Sequence, residues 1–156
     1  MTTATMTTAT MTTATVGAPP TVAPLAIPRG GPQTLLRLEG AVVLVAALAA
    51  YAHLGGGWGH FALLFLVPDL SLLGYLAGPR VGAAVYNTGH SHAVPVTLAT
   101  IAWLVGSPAL LLAALIWIAH IGFDRLLGYG LKYGSGFRDT HLGRVGRGVT
   151  ASASAR

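Results

Sequence analysis

Four apolar runs, each close to the roughly 20 residues that cross a bilayer as a helix, occupy most of this chain. They cover residues 35–54, 58–77, 81–105 and 109–127, with short turns rich in glycine or proline between them. Charged residues make up 8% of the 156 residues, whereas a soluble domain carries about 25%. The sequence therefore predicts an all-α integral membrane bundle of four transmembrane helices, with the lipid bilayer as its surroundings.

The two ends of the chain differ from this apolar middle. Residues 1–15 repeat Met-Thr-Thr-Ala-Thr three times, and a stretch with proline and glycine follows. Residues 1–33 are interpreted as a disordered low-complexity leader, because they lack the apolar period that forms a core. Residues 34–147 are the predicted four-helix transmembrane domain with its C-terminal segment, and residues 148–156 are a predicted disordered tail.

The nine Lys and Arg residues determine the predicted orientation. With four spans, all nine fall on one side of the membrane, and the turns near Gly55 and Gly106 carry none. Under the positive-inside rule both termini are then cytoplasmic. We expect a multi-pass protein of the cytoplasmic (inner) membrane. The net charge of +5 is explained by this topology, so no nucleic-acid partner is expected.

Polar residues inside the apolar runs are the strongest indication of function. Three of the four acidic residues, Glu39, Asp69 and Asp124, lie there together with His90 and His120. A charged side chain at the centre of a bilayer helix costs roughly 2.5–3.5 kcal/mol on insertion scales. At about 1.5 Å of rise per residue, Asp69, His90 and His120 fall in one layer, about 12–15 Å from the cytoplasmic ends of their helices. The other two lie nearer the cytoplasm, at about 6 Å.

Helical spacing groups the same residues. His120 and Asp124 are four residues apart and therefore share a face of the fourth helix. Tyr86 and Asn87 precede His90 by four and three residues, which gives the third helix a polar stripe. His92 points elsewhere, and an interhelical hydrogen bond is the role expected for it.

These residue types favour an intramembrane metal site. Histidine and carboxylate ligands bind zinc, iron or manganese, and helical bundles build such sites from inward-pointing side chains. We expect Asp69, His90, His120 and Asp124 to be the metal ligands, with Glu39 and Asp69 as candidate catalytic groups. With an open coordination position, the metal would activate water or oxygen against a lipid-like substrate. The residues expected around the site or at its entrance are Tyr86, Asn87, Arg125, Tyr129, Lys132, Asp139 and His141.

Other functions fit the same residues, so the sequence leaves open whether the protein is an enzyme. Buried Asp, Glu and His residues also equip proton-coupled carriers and proton relays, for which four spans would require a homodimer. His90 and His120 could instead be axial ligands of haem. In a fourth reading the polar residues only hold together a structural or partner-binding protein.

Several motifs together resemble an uncharacterised bacterial membrane-protein family, the family of domain of unknown function 4260. The resemblance covers residues 34–147 and implies a small multispanning membrane protein without an established activity. At His92 the family pattern implies an aromatic residue. The matching motifs are Leu38-Glu39, Pro68-Asp69-Leu70-Ser71, Gly74-Tyr75, Tyr86-Asn87 with His90, His120 to Arg125, Gly128 to Tyr133, and Phe137 with Asp139 to Gly143.

Overall fold

A computed structural model describes residues 30–144 of the chain. This part is confirmed as almost wholly helical, apart from two short antiparallel strands after the last helix. Residues 1–29 of the predicted leader and the whole predicted tail lie outside the described residues. The elements are α1 (Gly31–His53), α2 (Trp58–Phe65), a 3-10 helix (Val67–Ala77), α3 (Pro79–Gly89), α4 (Ala93–Leu104), α5 (Pro108–Leu127), β1 (Asp139–Thr140) and β2 (Gly143–Arg144).

Three helical segments are long and apolar enough to cross a membrane. They are Gly31–His53, Trp58–Ala77 and Pro108–Leu127. Their outward faces carry large apolar side chains, such as Leu63 with 73% and Leu76 with 87% of its surface exposed. A contiguous apolar surface of this kind is unfavourable in water and suits contact with lipid. The described part of the chain is therefore that of a membrane-embedded protein.

The third predicted span is two helices instead of one. α3 ends at Gly89 and α4 begins at Ala93. Pro95 explains the interruption, since it has no N–H for the carbonyl of Ser91 and its ring clashes with that carbonyl in a continuous helix. The third apolar run is thus interrupted four residues before Pro95, and the predicted count of four long helices is not confirmed within residues 30–144.

Side chains from α5 satisfy the backbone groups that this break leaves free. The Trp117 indole nitrogen donates to the Gly89 carbonyl at 2.6 Å, and Arg125 Nη2 donates to the His90 carbonyl at 3.2 Å. An unpaired carbonyl away from water costs roughly 1–3 kcal/mol. These two hydrogen bonds therefore make the broken helix tolerable in an apolar setting.

A second change of helix type occurs at Pro68. α2 ends at Phe65, and the chain then winds more tightly for eleven residues as the 3-10 helix. The Asp69 amide bonds the Leu66 carbonyl at 3.1 Å, which is the shorter i to i+3 pattern. This winding places Asp69 in the first turn of the segment.

α1 and α5 pack against each other antiparallel and in close contact. A Cβ atom at Gly122 would lie 2.8 Å from the Leu44 amide nitrogen and 2.9 Å from the Gly40 carbonyl oxygen, so only glycine fits there. The Arg37 guanidinium donates to the Leu126 carbonyl at 2.8 Å and to the Leu127 carbonyl at 3.2 Å. A cation at the C-terminal end of α5 complements the helix dipole.

The segment after α5 folds back onto the helices. Asn87 exchanges two hydrogen bonds with the Lys132 backbone, at 2.7 and 2.9 Å, and Gln33 donates to the Leu142 carbonyl at 2.7 Å. The Leu142 side chain is completely buried. The segment is thus held against both α3 and α1.

Replacing Trp117 by Phe should destabilise the protein by about 1–3 kcal/mol, because the Gly89 carbonyl loses its donor while an aromatic ring is kept at the position. Thermal unfolding in detergent measures the effect. Trp103→Phe is the matched control, since Trp103 is 74% exposed. Equal unfolding temperatures for the two variants would contradict the role given to the indole.

Candidate metal site

Four side chains from three parts of the fold meet beside the broken helix. Asp69 comes from the first turn of the 3-10 helix, and His90 is the residue that ends α3. His120 and Asp124 lie one turn apart on α5. The protein therefore contains a cluster of two histidines and two aspartates around the end of α3.

The polar atoms of this cluster converge. The two histidine Nε2 atoms are 3.2 Å apart. Asp69 Oδ1 lies 3.5 Å from His90 Nε2 and 3.6 Å from His120 Nε2, and Asp124 Oδ2 lies 3.5 and 3.9 Å from the same nitrogens. Both histidines are buried, whereas Asp69 is 39% exposed and Asp124 15%. Asp69 thus marks the more open side of the cluster.

The hydrogen bonds of His90 leave Nε2 free to accept or to bind a cation. Its Nδ1 lies 3.1 Å from the Tyr86 carbonyl, an acceptor that requires a proton on Nδ1. The Ser71 hydroxyl lies 3.4 Å from the same nitrogen, and the Tyr86 ring stacks on the imidazole at 3.8 Å. A backbone carbonyl that orients a histidine in this way is typical of metal ligands.

His120 has a more apolar environment. The Phe65 ring lies edge-on to it, with 5.1 Å between the ring centroids. Its Nδ1 is buried and makes no hydrogen bond to any residue between 30 and 144. All polar contacts of His120 are therefore made through Nε2, inside the cluster.

Asp124 is held by a further hydrogen bond. The Tyr86 hydroxyl donates to Asp124 Oδ2 at 3.2 Å and so links α3 to α5, while the Tyr86 ring stacks on His90 at the end of α3. This contact occupies one lone pair of the oxygen that faces the two histidines. Asp124 is thereby oriented toward the cluster.

The triangle formed by Asp69, His90 and His120 fits one face of a metal tetrahedron. Zinc bonds of about 2.0–2.2 Å in tetrahedral geometry require ligand atoms roughly 3.3–3.6 Å apart. The three edges measured here are 3.2, 3.5 and 3.6 Å. The ligand atoms of these three residues are close enough to hold one ion. Asp124 Oδ2 lies next to this group, within 3.9 Å of the Nε2 atoms of both histidines. The donor set and its spacing therefore suit a divalent cation.

An apolar cavity of about 350 Å³ adjoins the cluster. Its lining includes Pro68 and Gly89, which adjoin Asp69 and His90 in the chain, and Ser71, whose hydroxyl lies 3.4 Å from His90 Nδ1. Leu98 and Trp117 are among its apolar walls. Sequence reasoning did not single out Ser71 or Trp117, although Trp117 precedes His120 by three residues and so lies on nearly the same face of α5.

The remaining residues predicted around the site lie either at a second cavity or in the segment that follows α5. Glu39, Arg125 and His141 line a separate cavity of about 290 Å³, together with His92, and the Glu39 carboxylate is on the exposed side of α1. The structure therefore does not bring Glu39 into the histidine and aspartate cluster.

Lys132 lies directly beneath the cluster's tyrosine. Its ammonium is 4.6 Å from the centre of the Tyr86 ring and donates to the Phe137 carbonyl at 3.1 Å. Burial lowers the pKa of the Lys132 ammonium, and the negative charge of Asp124 acts against that shift. Asp139 accepts from Ser135 and belongs to β1, while Tyr129 is exposed.

The fold and the cluster define a class: a helical membrane-type protein with a buried histidine and aspartate site. Residues 33–145 match the family model of DUF4260, a domain of unknown function. The chain therefore belongs to this family, as the motifs of the sequence indicate. Neither the curated proteins nor the solved structures gave a match to the chain.

His141 should make stability depend on pH. Burial and, secondly, the neighbouring Arg125 charge lower the pKa of His141 in the folded protein. The unfolded chain then binds a proton more readily, so folding stability falls as pH drops below about 6.5, the ordinary histidine value. Above that pH both states are neutral at this position, and the effect vanishes.

The variant His141→Asn keeps an acceptor for the Leu131 amide, so it should weaken this acid sensitivity. Unfolding temperatures in detergent at pH 8 and pH 5.5 measure the difference. His53→Asn is the control, because His53 is exposed at the end of α1. An unchanged pH dependence in His141→Asn would contradict the prediction.

Proposed function

We propose that this protein is a multi-pass metalloprotein of the cytoplasmic membrane whose metal is held by Asp69, His90 and His120. The observation that carries the proposal is the triangle of 3.2, 3.5 and 3.6 Å between the three ligand atoms. Three protein ligands and one further position are typical of catalytic zinc sites, whereas structural sites are closed. Zinc, iron and manganese all accept this donor set.

The proposed topology has four spans, with α3 and α4 together as the third. Non-helical backbone is tolerated at membrane depth where protein side chains satisfy it, as Trp117 and Arg125 do here. Both termini are then cytoplasmic by the distribution of Lys and Arg. The family resemblance implies a bacterial protein, for which this topology corresponds to the inner membrane.

The activity we propose is hydrolytic or oxidative chemistry on a lipid-like substrate. A divalent ion at this site would polarise a bound water or a substrate oxygen. Asp124, oriented by Tyr86, is placed to complete the ligand set or to accept a proton beside it. Asp69 faces the more open side, and the adjoining apolar cavity of about 350 Å³ suits a hydrocarbon chain.

Elemental analysis of the detergent-purified protein tests the metal. We expect about one zinc, iron or manganese per chain in the wild type, because the donor set is complete for such ions. His120→Ala should lose it, since one of three ligands is removed, while His53→Ala should retain it. Asp69→Asn, which is nearly isosteric and less buried, serves if His120→Ala does not fold. Equal metal content in all folded variants would contradict the proposal.

A proton relay is the second candidate, favoured by the 3.2 Å contact between the two Nε2 atoms. Without a metal, His120 Nε2–H donates to His90 Nε2, and both nitrogens stay within 3.9 Å of a carboxylate. Such a chain of groups can pass a proton.

Vesicles that contain the protein and a pH-sensitive dye test the relay. A pH gradient should dissipate faster with the wild type than with Asp124→Asn, because that substitution removes a proton acceptor from the chain of groups. His60→Asn, at an exposed position of α2, should behave as the wild type. Absence of any proton flux in a metal-free preparation would exclude the relay.

A further inference from the structure

The second cavity, of about 290 Å³, lies between α1 and the segment that follows α5. Its apolar walls include Val43 and Leu142, and its polar lining is Glu39, His92, Arg125 and His141. Its volume is near the lower end of the roughly 300–1,000 Å³ typical of small-molecule pockets. Arg125 is the one cation among these four groups, Glu39 carries the opposite charge, and the two histidines can offer ring N–H donors, so the cavity combines a guanidinium with further donors.

Arg125 is a partly buried cation at the edge of this cavity. Its Nη2 donates to the His90 carbonyl at 3.2 Å. Asp124, its neighbour in the helix, stabilises the guanidinium electrostatically but diverges from it by about 100°. The guanidinium keeps further N–H groups, which a negatively charged oxygen in the cavity can accept from.

The contact between Arg125 and His141 brings two donors together. The Leu131 amide donates to His141 Nδ1 at 2.8 Å, so the proton of the neutral ring is on Nε2. His141 Nε2 is 3.4 Å from Arg125 Nη1, which also carries protons. Two N–H groups cannot bond each other, but an oxygen with negative charge accepts from both.

His92 adds an independent observation. Its Nε2 is buried, lines the same cavity region and has no hydrogen-bond partner among the residues that the structure describes. Buried polar atoms of this kind are rare and commonly mark a missing water, ion or ligand. The third basic side chain of the cavity thus also lacks an acceptor.

We propose that this cavity binds a phosphate group, with Arg125 as its anchor and His141 and His92 as further donors. Donors from α5, the loop before α4 and the C-terminal segment suit the several oxygens of a phosphate better than the two of a carboxylate. The cavity lies where α1 begins and α5 ends, the predicted cytoplasmic side. Basic pockets at this depth bind anionic headgroups, and a soluble phosphate has the same chemistry.

Substitution of Glu39 should change the phosphate affinity in a direction that a purely structural role would not produce. Glu39 is among the residues that line the cavity, and its negative charge would repel an anion there. Glu39→Gln should therefore strengthen phosphate binding, whereas Arg125→Gln should weaken it about tenfold to hundredfold, as for the loss of a charged hydrogen bond. His92→Phe, which restores the aromatic expected from the family pattern, should weaken binding about threefold to tenfold.

The experiment titrates the detergent-purified full chain with inorganic phosphate by calorimetry, in a buffer that contains a metal chelator. In parallel, native mass spectrometry compares retention of phosphatidylglycerol and phosphatidylcholine from bilayer discs. Arg80→Gln is the control, because Arg80 is exposed at the start of α3 and does not line this cavity. The chelator separates this site from the proposed metal, so either proposal can fail alone.

Binding of inorganic phosphate that Arg125→Gln weakens and Arg80→Gln does not would support a site for the free anion. Retention of phosphatidylglycerol alone, with the same dependence on Arg125, would support a lipid headgroup as the source. If Arg125→Gln does not fold, weaker phosphate binding by His92→Phe together with stronger binding by Glu39→Gln would support the proposal. Absence of these opposite effects would overturn it. No binding of either probe, or equal losses in Arg125→Gln and Arg80→Gln, would overturn the proposal.

Discussion

The interruption between α3 and α4 is the constraint on which the rest of the structure depends. A helix in an apolar environment hides its own polar groups, and a break exposes carbonyls that have no water to bond. Here Trp117 and Arg125 of α5 supply the missing donors to Gly89 and His90. The position of α5 against α3 is therefore fixed by polar contacts. The close approach of α1 to α5 at Gly40 and Gly122 in turn fixes the position of α1.

The same break creates the histidine and aspartate cluster. His90 directly follows α3, and the Tyr86 carbonyl is within reach of His90 Nδ1, which leaves Nε2 to face His120 and Asp69. The same carbonyl also accepts from the His90 amide at 2.9 Å, so it bonds both the backbone and the ring of His90. The change to a 3-10 helix at Pro68 likewise positions Asp69, which lies in the first turn of that segment. Both irregularities thus bring ligand-type side chains to one point instead of merely bending helices.

The protein has two neighbouring sites with opposite charge preference, and Arg125 belongs to the surroundings of both. The cluster presents carboxylates and imidazole lone pairs and suits a cation, whereas the second cavity presents Arg125 and two further histidines and suits an anion. Arg125 connects them, since it donates to the His90 backbone and lines the second cavity. An anion bound there would offset the Arg125 charge close to the backbone of His90, which we propose as a metal ligand, so occupancy of the second cavity should change the affinity of the cluster for a cation.

The sequence by itself determined the helical membrane-type fold, because long apolar runs with few charges have no other stable arrangement. It also pointed to Asp69, His90, His120 and Asp124, since charged and imidazole groups in such runs are too unfavourable to be incidental. Only the tertiary structure decided that the third run is broken and that Glu39 faces a different cavity. The tertiary structure alone showed that Arg125 and His92 line the same cavity as His141. These features depend on which faces of separate helices meet, and on backbone irregularities at Pro68 and Pro95, which helical periodicity along one segment does not contain.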